Sequence, residues 1–377
     1  MVGLSPTTRS SHLRIVIAPD SFKGTATAVD VAAAIAAGWR TVRSDDELLQ
    51  LPMADGGEGT IDALERGIAH AVRVPSTVSG PLSDPIAADW LRFVDADGVD
   101  TGVVELAQTS GLPLLDPLDP LHAHTLGFGQ QIALALDAGV QRLLLAVGGS
   151  SSTDGGTGAL TALGAKFLDE AAHRLPLGGG ALERLSSVSF GAVREVPSEG
   201  AYLLSDVRNP LTGPLGAAAV FGPQKGASLD QVLLLERGLA RLARRMPVDP
   251  TATGAGAAGG TGFGMLAWGA IARSGAEAVC EAIGVGAALP GADLVITGEG
   301  SYDQQTSSGK VASEIELVAT RHHVPVAVVA GRISVASETV DSAVSLEELA
   351  GGTEAAMRDT ISWLEAAGAE LARRYSR

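Results

Sequence analysis

A strand-like apolar run, a glycine-rich loop and a helical pattern recur in this order along the chain, and this rhythm restricts the fold more than any other feature. The run "LRIVIA" (13–18) precedes the loop "PDSFKGTA" and a helical stretch that Thr27 and Asp30 would cap. The run "ELLQLPM" (47–53) precedes "ADGGEG" and a second helical stretch. Short apolar strands that alternate with helices predict a parallel sheet covered by helices.

The middle of the chain has a different texture. Residues 71–106 alternate apolar and polar residues between Pro, Gly and Asp turns, which predicts strands that are antiparallel in part. Near residue 292 the first rhythm returns, with "ADLVITGEG", a helix, "VPVAVVAG" and a closing helix. We therefore predict an α/β domain built from both chain ends, residues 1–72 and 285–377, with a second mixed α/β domain, 73–284, inserted into it.

Composition limits the partners and the compartment. A net charge of −16 repels nucleic acid and anionic membranes, and no apolar run reaches the ~18 residues of a membrane span. Cys280 is the single cysteine, so the chain has no internal disulfide and no cysteine zinc site. Because no secretory signal is recognisable, we expect a cytoplasmic protein with no nucleic-acid or membrane partner; a homodimer is left open.

Two segments of the chain share one loop motif. The stretch "MADGGEGTIDAL" (53–64) aligns without a gap with "STDGGTGALTAL" (152–163). Glycine amides at the start of a helix can bind anions, because their N–H groups are free and the helix dipole is positive there. We interpret the pair as one local solution used twice, not as a duplicated domain. A tight turn with an N-capping Asp remains the alternative at each loop.

Six predicted strand-to-helix loops combine glycine with lysine, hydroxyl or carboxylate side chains. Their sequences are "APDSFKG", "ADGGEG", "GGSSSTDGG", "SDVRNPL", "FGPQKG" and "TGEGSYDQQTSSGK". Ligands of open α/β sheets bind beyond the carboxyl ends of strands, which is where such loops lie. Glycine amides, lysines and carboxylates together suggest phosphoryl transfer from a magnesium nucleotide.

Other familiar motifs are absent or misplaced. Gly309-Lys310 lacks the remaining residues of a P-loop, and "GAGAAG" (254–259) does not follow a strand as a dinucleotide fingerprint would. The spacing of His122 and His124 does not suit a metal pair on one helix face. Cys280 lies on an apolar helical stretch and is expected in the core.

The ordered blocks "IAPDSFKGTATA", "PMADGGEGT", "VGGSSSTDGGTGALTALGAKFLD", "DVRNPLTGPLGAAAVFGPQKGAS", "GAAGGTGFG" and "LVITGEGSYDQQTSSGK" strongly resemble the type I glycerate kinase family, the bacterial glycerate 2-kinases. The resemblance spans roughly residues 13–335. It implies a flavodoxin-like domain with a second domain inserted and an active-site cleft between them. It also implies ATP-dependent phosphorylation of D-glycerate to 2-phosphoglycerate with Mg²⁺. Departures from the family pattern at 151–153, 208 and 301 leave ligand contacts there open.

The matching blocks and the loop chemistry together give the expected site. We expect catalysis by Asp206, which would orient or deprotonate the attacking hydroxyl, together with Lys23 and Asp55. Magnesium would be held by Asp154 and Glu299. Substrate or phosphate contacts are expected from Ser21, Gly56, Gly57, Gly155, Gly156, Asn209, Lys225, Gly298, Gln305 and Lys310.

Three alternatives to this interpretation stay open. The first is a kinase that acts on another small hydroxy acid or that gives 3-phosphoglycerate. The second is a phosphatase on the same scaffold. The third is a solute-binding protein without activity, although a binder has little use for so many loop carboxylates. Turnover of a panel of hydroxy acids with and without ATP would distinguish them.

Overall fold

The computed structural model describes residues 12–303, 310–335 and 337–375. The strands in these ranges are β1 (Arg14–Ile17), β2 (Glu47–Gln50), β3 (Val72–Ser79), β4 (Pro85–Val94), β5 (Asp100–Glu105), β6 (Arg142–Ala146), β7 (Lys166–Leu168), β8 (Ser187–Ser189), β9 (Ala201–Leu204), β10 (Ile271–Arg273), β11 (Leu294–Tyr302), β12 (Val326–Ile333) and β13 (Ser342–Ser345). The α-helices are α1 (Ala28–Arg40), α2 (Thr60–Gly67), α3 (Ala107–Ser110), α4 (Leu126–Asp137), α5 (Thr157–Ala162), α6 (Ala217–Phe221), α7 (Leu229–Ala243), α8 (Ala257–Trp268), α9 (Gly275–Ile283), α10 (Val285–Ala288), α11 (Val311–His322), α12 (Leu346–Ala350), α13 (Thr353–Arg358) and α14 (Thr360–Arg374).

The chain divides into two compact units. The terminal unit comprises Met1–Met53 and Ile283–Arg377, and the inserted unit comprises Ala54–Ala282. This division places α2 in the inserted unit, whereas the sequence placed residues 54–72 in the terminal domain. The reason is packing, because α2 contacts strands β4 and β5 of the inserted unit.

The terminal unit contains an entirely parallel five-stranded sheet in the order β13-β12-β11-β1-β2. Renumbered within the unit, this is the order 2-1-3-4-5 of the flavodoxin-like fold, so the predicted fold class is confirmed. Ile15, Val16 and Ile17 of β1 are fully buried, as expected for a strand covered on both faces. Helix α1 begins after Thr27, whose hydroxyl accepts a hydrogen bond from Asp30 N, as the sequence predicted.

The inserted unit contains a six-stranded mixed sheet in the order β10-β9-β6-β5-β4-β3. Strands β3, β4 and β5 pair antiparallel, which confirms the texture of residues 71–106, whereas β5, β6, β9 and β10 pair parallel. Its core includes the fully buried rings of Phe128 and Phe263 and the almost fully buried ring of Trp90. The carboxyl ends of β5, β6, β9 and β10 therefore share one edge of the sheet. No described helix is long and apolar enough to span a membrane.

Candidate active site

The connections that leave the adjacent parallel strands β1 and β11 run in opposite directions along the sheet of the terminal unit. From β1 the chain continues through α1 to β2 on one side, and from β11 through α11 to β12 on the other. This reversal is the topological switch point, where open α/β sheets bind their ligands. The loop after β1 carries the expected site residues Ser21 and Lys23, and β11 carries Gly298 and Glu299. Within this unit the structure therefore brings these residues to one edge.

Backbone hydrogen bonds fix the loop after β1. Asp20 N donates to Gly298 O at 2.8 Å, and Ser21 N donates to the Asp20 carboxylate at 2.6 Å. A Cβ on Gly298 would lie 2.0 Å from Val329 O, so strand packing by itself requires glycine there. Lys23 is exposed on this loop.

An acid and a base meet near the start of α11. Glu299 is buried, with 6% of its surface exposed, and its Oε2 lies 3.6 Å from Lys310 Nζ. Lys310 immediately precedes α11, where the helix dipole is positive. The expected contact Gln305 lies outside the described residues.

Contacts between backbones hold the first Asp-Gly-Gly loop in the inserted unit. Gly148 N, in the loop after β6, donates to Gly56 O at 3.1 Å. A Cβ on Gly148 would lie 2.4 Å from Gly57 Cα, so no side chain fits there. Within the loop, Gly57 N donates to Asp55 Oδ1 at 3.1 Å. The loop 55–59 thus rests directly on the loop that follows β6.

Asp206 lies just beyond the carboxyl end of β9, beside this loop. Its Oδ1 accepts a hydrogen bond from Gly275 N at 3.3 Å, and its Oδ2 is buried without a hydrogen-bond partner among the described residues. Burial raises the pKa of Asp206 to about 6, and the negative charge of Asp55 adds to the rise; Ser274, the Gly275 amide and Arg208 oppose it. Asp206 and Asp55 are therefore brought together, as two of the three expected catalytic residues.

The second Asp-Gly-Gly loop has a different environment, because residues 151–160 are buried throughout. A Cβ on Gly155 would lie 2.4 Å from the Leu242 side chain, and one on Gly156 would lie 3.0 Å from Thr261 O. These glycines allow the loop to pack against α7 and α8. The expected phosphate contacts of Gly155 and Gly156 are at odds with this burial, because a phosphate needs exposed amides.

The carboxylate of Asp154 is fully buried and accepts four hydrogen bonds. The donors are Gly156 N at 3.0 Å, Gly158 N at 3.1 Å, Thr125 N at 3.0 Å and Thr125 Oγ1 at 2.8 Å. Asp154 therefore satisfies amides at the start of α5, although the N-cap residue itself is Gly156, and its expected magnesium contact stays a prediction. Within the described ranges, no group of three or more His, Cys, Asp or Glu side chains could hold a metal ion by itself.

Lys225 and Asn209 also contact protein groups, and the loop of Lys225 follows helix α6, not a strand as the sequence predicted. Lys225 is 3% exposed, and its Nζ donates to Ser152 O and, at 3.4 Å, to Ser150 Oγ. Burial lowers the pKa of Lys225 to about 7, and the charge of Asp154 opposes this effect. Asn209 Nδ2 donates to Leu215 O at 2.8 Å.

Glu105 was missed in the sequence. It is the last residue of β5, is 3% exposed, and accepts hydrogen bonds at 3.0 Å from both Gly59 N and Ile61 N. The available signal was an acid at the end of the buried run "TGVVEL". That run lies in the segment predicted to be antiparallel in part, where no loop at a carboxyl edge was expected.

Comparison with known proteins shows relatives across nearly the whole chain. The model of the glycerate kinase family matches residues 15–376. Glycerate kinase of Bacillus subtilis (strain 168) is 40% identical over 340 residues, which cover 87% of each chain. Glycerate 2-kinase of Escherichia coli (strain K12) is 38% identical over 331 residues, covering 85% of this chain and 86% of that one.

A solved structure agrees with these matches. The crystal structure of a protein described as glycerate kinase 2 from Salmonella typhimurium LT2 has a TM-score of 0.81 and 37% identity, and the match covers 97% of this chain and 98% of that one. Fold and relatives together define the class of protein as an α/β kinase. The chain belongs to the glycerate kinase family, which confirms the resemblance seen in the sequence blocks.

The contact between Gly148 and the first glycine loop predicts the effect of a single methyl group. Replacing Gly148 by Ala should lower the free energy of unfolding by about 1–3 kcal/mol, because the new Cβ overlaps Gly57 Cα. Denaturant unfolding measures this change. The matched control is Gly191→Ala, where the nearest atom, Ser189 Oγ, would be 4.0 Å away. Equal stability of the two variants would contradict the packing argument.

Proposed function

We propose that the protein transfers the γ-phosphoryl group of ATP to the 2-hydroxyl of D-glycerate, giving 2-phosphoglycerate and ADP. The observation that carries this proposal is the family match over residues 15–376, and the name of the Escherichia coli relative, glycerate 2-kinase, supports the 2-position. Phosphoryl transfer needs mainly positioned groups and neutralised charge, and both units offer such groups at the carboxyl edges of their sheets.

Asp206 is the proposed base for the attacking hydroxyl. A general base works best when its pKa lies near the working pH, and burial beside Asp55 brings Asp206 toward that range. Its Oδ2 has no hydrogen-bond partner among the described residues, so no protein donor competes with a substrate hydroxyl for it. Asp55 shares this edge of the inserted unit, and its negative charge adds to the effect of burial, the main cause of the raised pKa of Asp206.

The terminal unit offers charges that suit a magnesium nucleotide. Glu299 is a buried carboxylate at the switch point, and it provides the kind of oxygen that Mg²⁺ accepts alongside phosphates and water. When bound, Mg²⁺ would neutralise part of the phosphate charge. Lys23 and Lys310 add positive charge for a phosphate or for the glycerate carboxylate. Because its carboxylate is already occupied by four hydrogen bonds, we assign Asp154 a structural role instead of a metal contact.

The reaction can be tested with the purified protein, Mg·ATP and D-glycerate, with phosphorus NMR of the product. We expect 2-phosphoglycerate and an equal amount of ADP. A 3-phosphoglycerate signal would keep the kinase and overturn the regiochemistry. Intact ATP with D-glycerate, together with turnover of another small hydroxy acid in a parallel panel, would overturn the substrate.

Replacing Asp206 by Asn tests the proposed base. We expect kcat to fall by about 10²–10⁴-fold, the usual contribution of a general base, while the protein stays folded. The matched control is Asp97→Asn, which makes the same change on an exposed turn at the amino end of β5 and should leave kcat unchanged. A near-wild-type kcat in Asp206→Asn would contradict the assignment.

The pKa of Asp206 also fixes the direction of two pH effects. Because the base must be ionised, wild-type kcat/KM should be lost as the pH falls through about 6. Stability should run the other way: the folded state holds this proton more tightly than the unfolded state, so the Asp206 contribution weakens as the pH rises toward 6. Asp206→Asn should therefore melt no lower than the wild type at pH 8.

A further inference from the structure

We propose that Glu105 is a positioning residue that holds the first glycine loop, residues 55–59, in the conformation required for phosphoryl transfer. The inference rests on the proposed function, which places Asp55 of this loop beside the base Asp206. The recorded hydrogen-bond partners of the Glu105 carboxylate are backbone amides, not these two side chains. It acts through the backbone of the loop and of helix α2.

Both carboxylate oxygens of Glu105 are engaged. Oε1 accepts from Gly59 N and Oε2 accepts from Ile61 N, each at 3.0 Å. The carboxylate is carried by β5, an interior strand of the sheet whose Glu105 pairs with Ala146 of β6. A strand inside the sheet thus holds two nearby backbone amides, Gly59 N and Ile61 N, where the loop turns into helix α2.

The N-cap residue of α2 makes no side-chain cap of its own. Gly59 is the N-cap residue of α2, has the left-handed φ of +86°, and provides no side-chain acceptor. The amides of the first turn need acceptors, and Glu105 supplies them from another part of the chain. At the other end of the loop, Gly148 N holds Gly56 O. Glu105 and Gly148 therefore fix the loop from both sides, with Asp55 next to the second of these points.

The two hydrogen bonds that Glu105 accepts depend on pH. Burial raises the pKa of Glu105 to about 7; the two amides oppose the rise, and the negative charges of Asp62 on α2 and Glu58 on the loop add to it. An ionised carboxylate accepts at both oxygens, whereas the protonated acid turns one of them into a donor. Both hydrogen bonds are therefore present only when Glu105 is ionised.

The pH dependence of activity distinguishes a positioning role of Glu105 from a purely structural one. Because the folded state raises the pKa of Glu105, its contribution to stability weakens as the pH rises toward 7. Activity should move in the opposite direction and fall as the pH drops through about 7. Together with Asp206, this makes the acid limb of kcat/KM steeper than a single ionisation.

The test is Glu105→Gln, which keeps the shape but places an NH₂ group against one of the two amide donors. We expect kcat to fall about 10–100-fold, the usual range for a residue that orients a catalytic group, with KM changing less. The acid limb should lose its component near pH 7 and keep the one near 6. Glu105→Asp, which retains the charge, should recover part of the lost kcat.

The matched control is Asp46→Asn. Asp46 is another buried carboxylate that accepts from a backbone amide, Leu13 N at 2.9 Å, and from Trp39 Nε1 at 2.9 Å; unlike Glu105 it also pairs with Arg43, and it precedes β2 at the amino end of its strand. Its loss should lower the melting temperature without changing the acid limb. A matching loss of stability with an unchanged pH profile in Glu105→Gln would overturn the proposal.

Hydrogen exchange separates this proposal from the proposed function. Peptides covering residues 55–64 should exchange about tenfold faster in Glu105→Gln at pH 8, with the rest of the inserted unit unchanged, because two amide bonds are disturbed. Unchanged exchange there would overturn the positioning role. If wild-type protein did not phosphorylate glycerate, the proposed function would fail, while the exchange result would still decide whether Glu105 holds the loop.

Discussion

The hydrogen bond from Gly148 N to Gly56 O joins the two loops on which the site of the inserted unit depends. It fixes the first Asp-Gly-Gly loop against the loop that leaves β6, at a distance that excludes even a methyl group at position 148. The same loop carries Asp55 and begins helix α2, whose first amides Glu105 holds. These contacts join backbone groups to each other and to a buried carboxylate. A substitution at Gly148 or Glu105 would therefore shift the loop and, with it, the charged side chain of Asp55.

Three ionisable groups of the inserted unit, two of them buried and one half-buried, have pKa values shifted toward neutrality. Asp206 lies near 6, Glu105 near 7 and Lys225 near 7, and burial is the main cause for each. Such shifts concentrate at functional sites, because burial disfavours the charged form and can bring a pKa close to the working pH, where the group exchanges a proton readily. The structure assigns them different tasks: Lys225 supports the loop 150–152, Glu105 supports the loop 55–59, and Asp206 retains a carboxylate oxygen without a hydrogen-bond partner among the described residues.

Much of the fold could be predicted because strands and helix starts leave local signals. The buried run of β1, the cap at Thr27 and the mixed pairing of β3 to β5 all follow from patterns within a few residues. The two Asp-Gly-Gly loops show the limit. Their sequences align, yet the second is covered by residues of α7 and α8 that lie far along the chain, so only long-range packing leaves the first loop partly exposed and the second buried. Glu105 escaped for the same reason, since the parallel pairing of β5 with β6 is not visible in its own segment.

Burial and the charge of Asp55 together prepare Asp206 to accept a proton. This effect can be tested by NMR titration of protein labelled with ¹³C in its aspartate carboxyl groups. We expect one carboxyl that titrates near pH 6, that is absent in Asp206→Asn, and that titrates at lower pH in Asp55→Asn because the neighbouring negative charge is gone. A wild-type spectrum in which every aspartate titrates below about pH 4.5, close to the unperturbed value, would contradict this expectation.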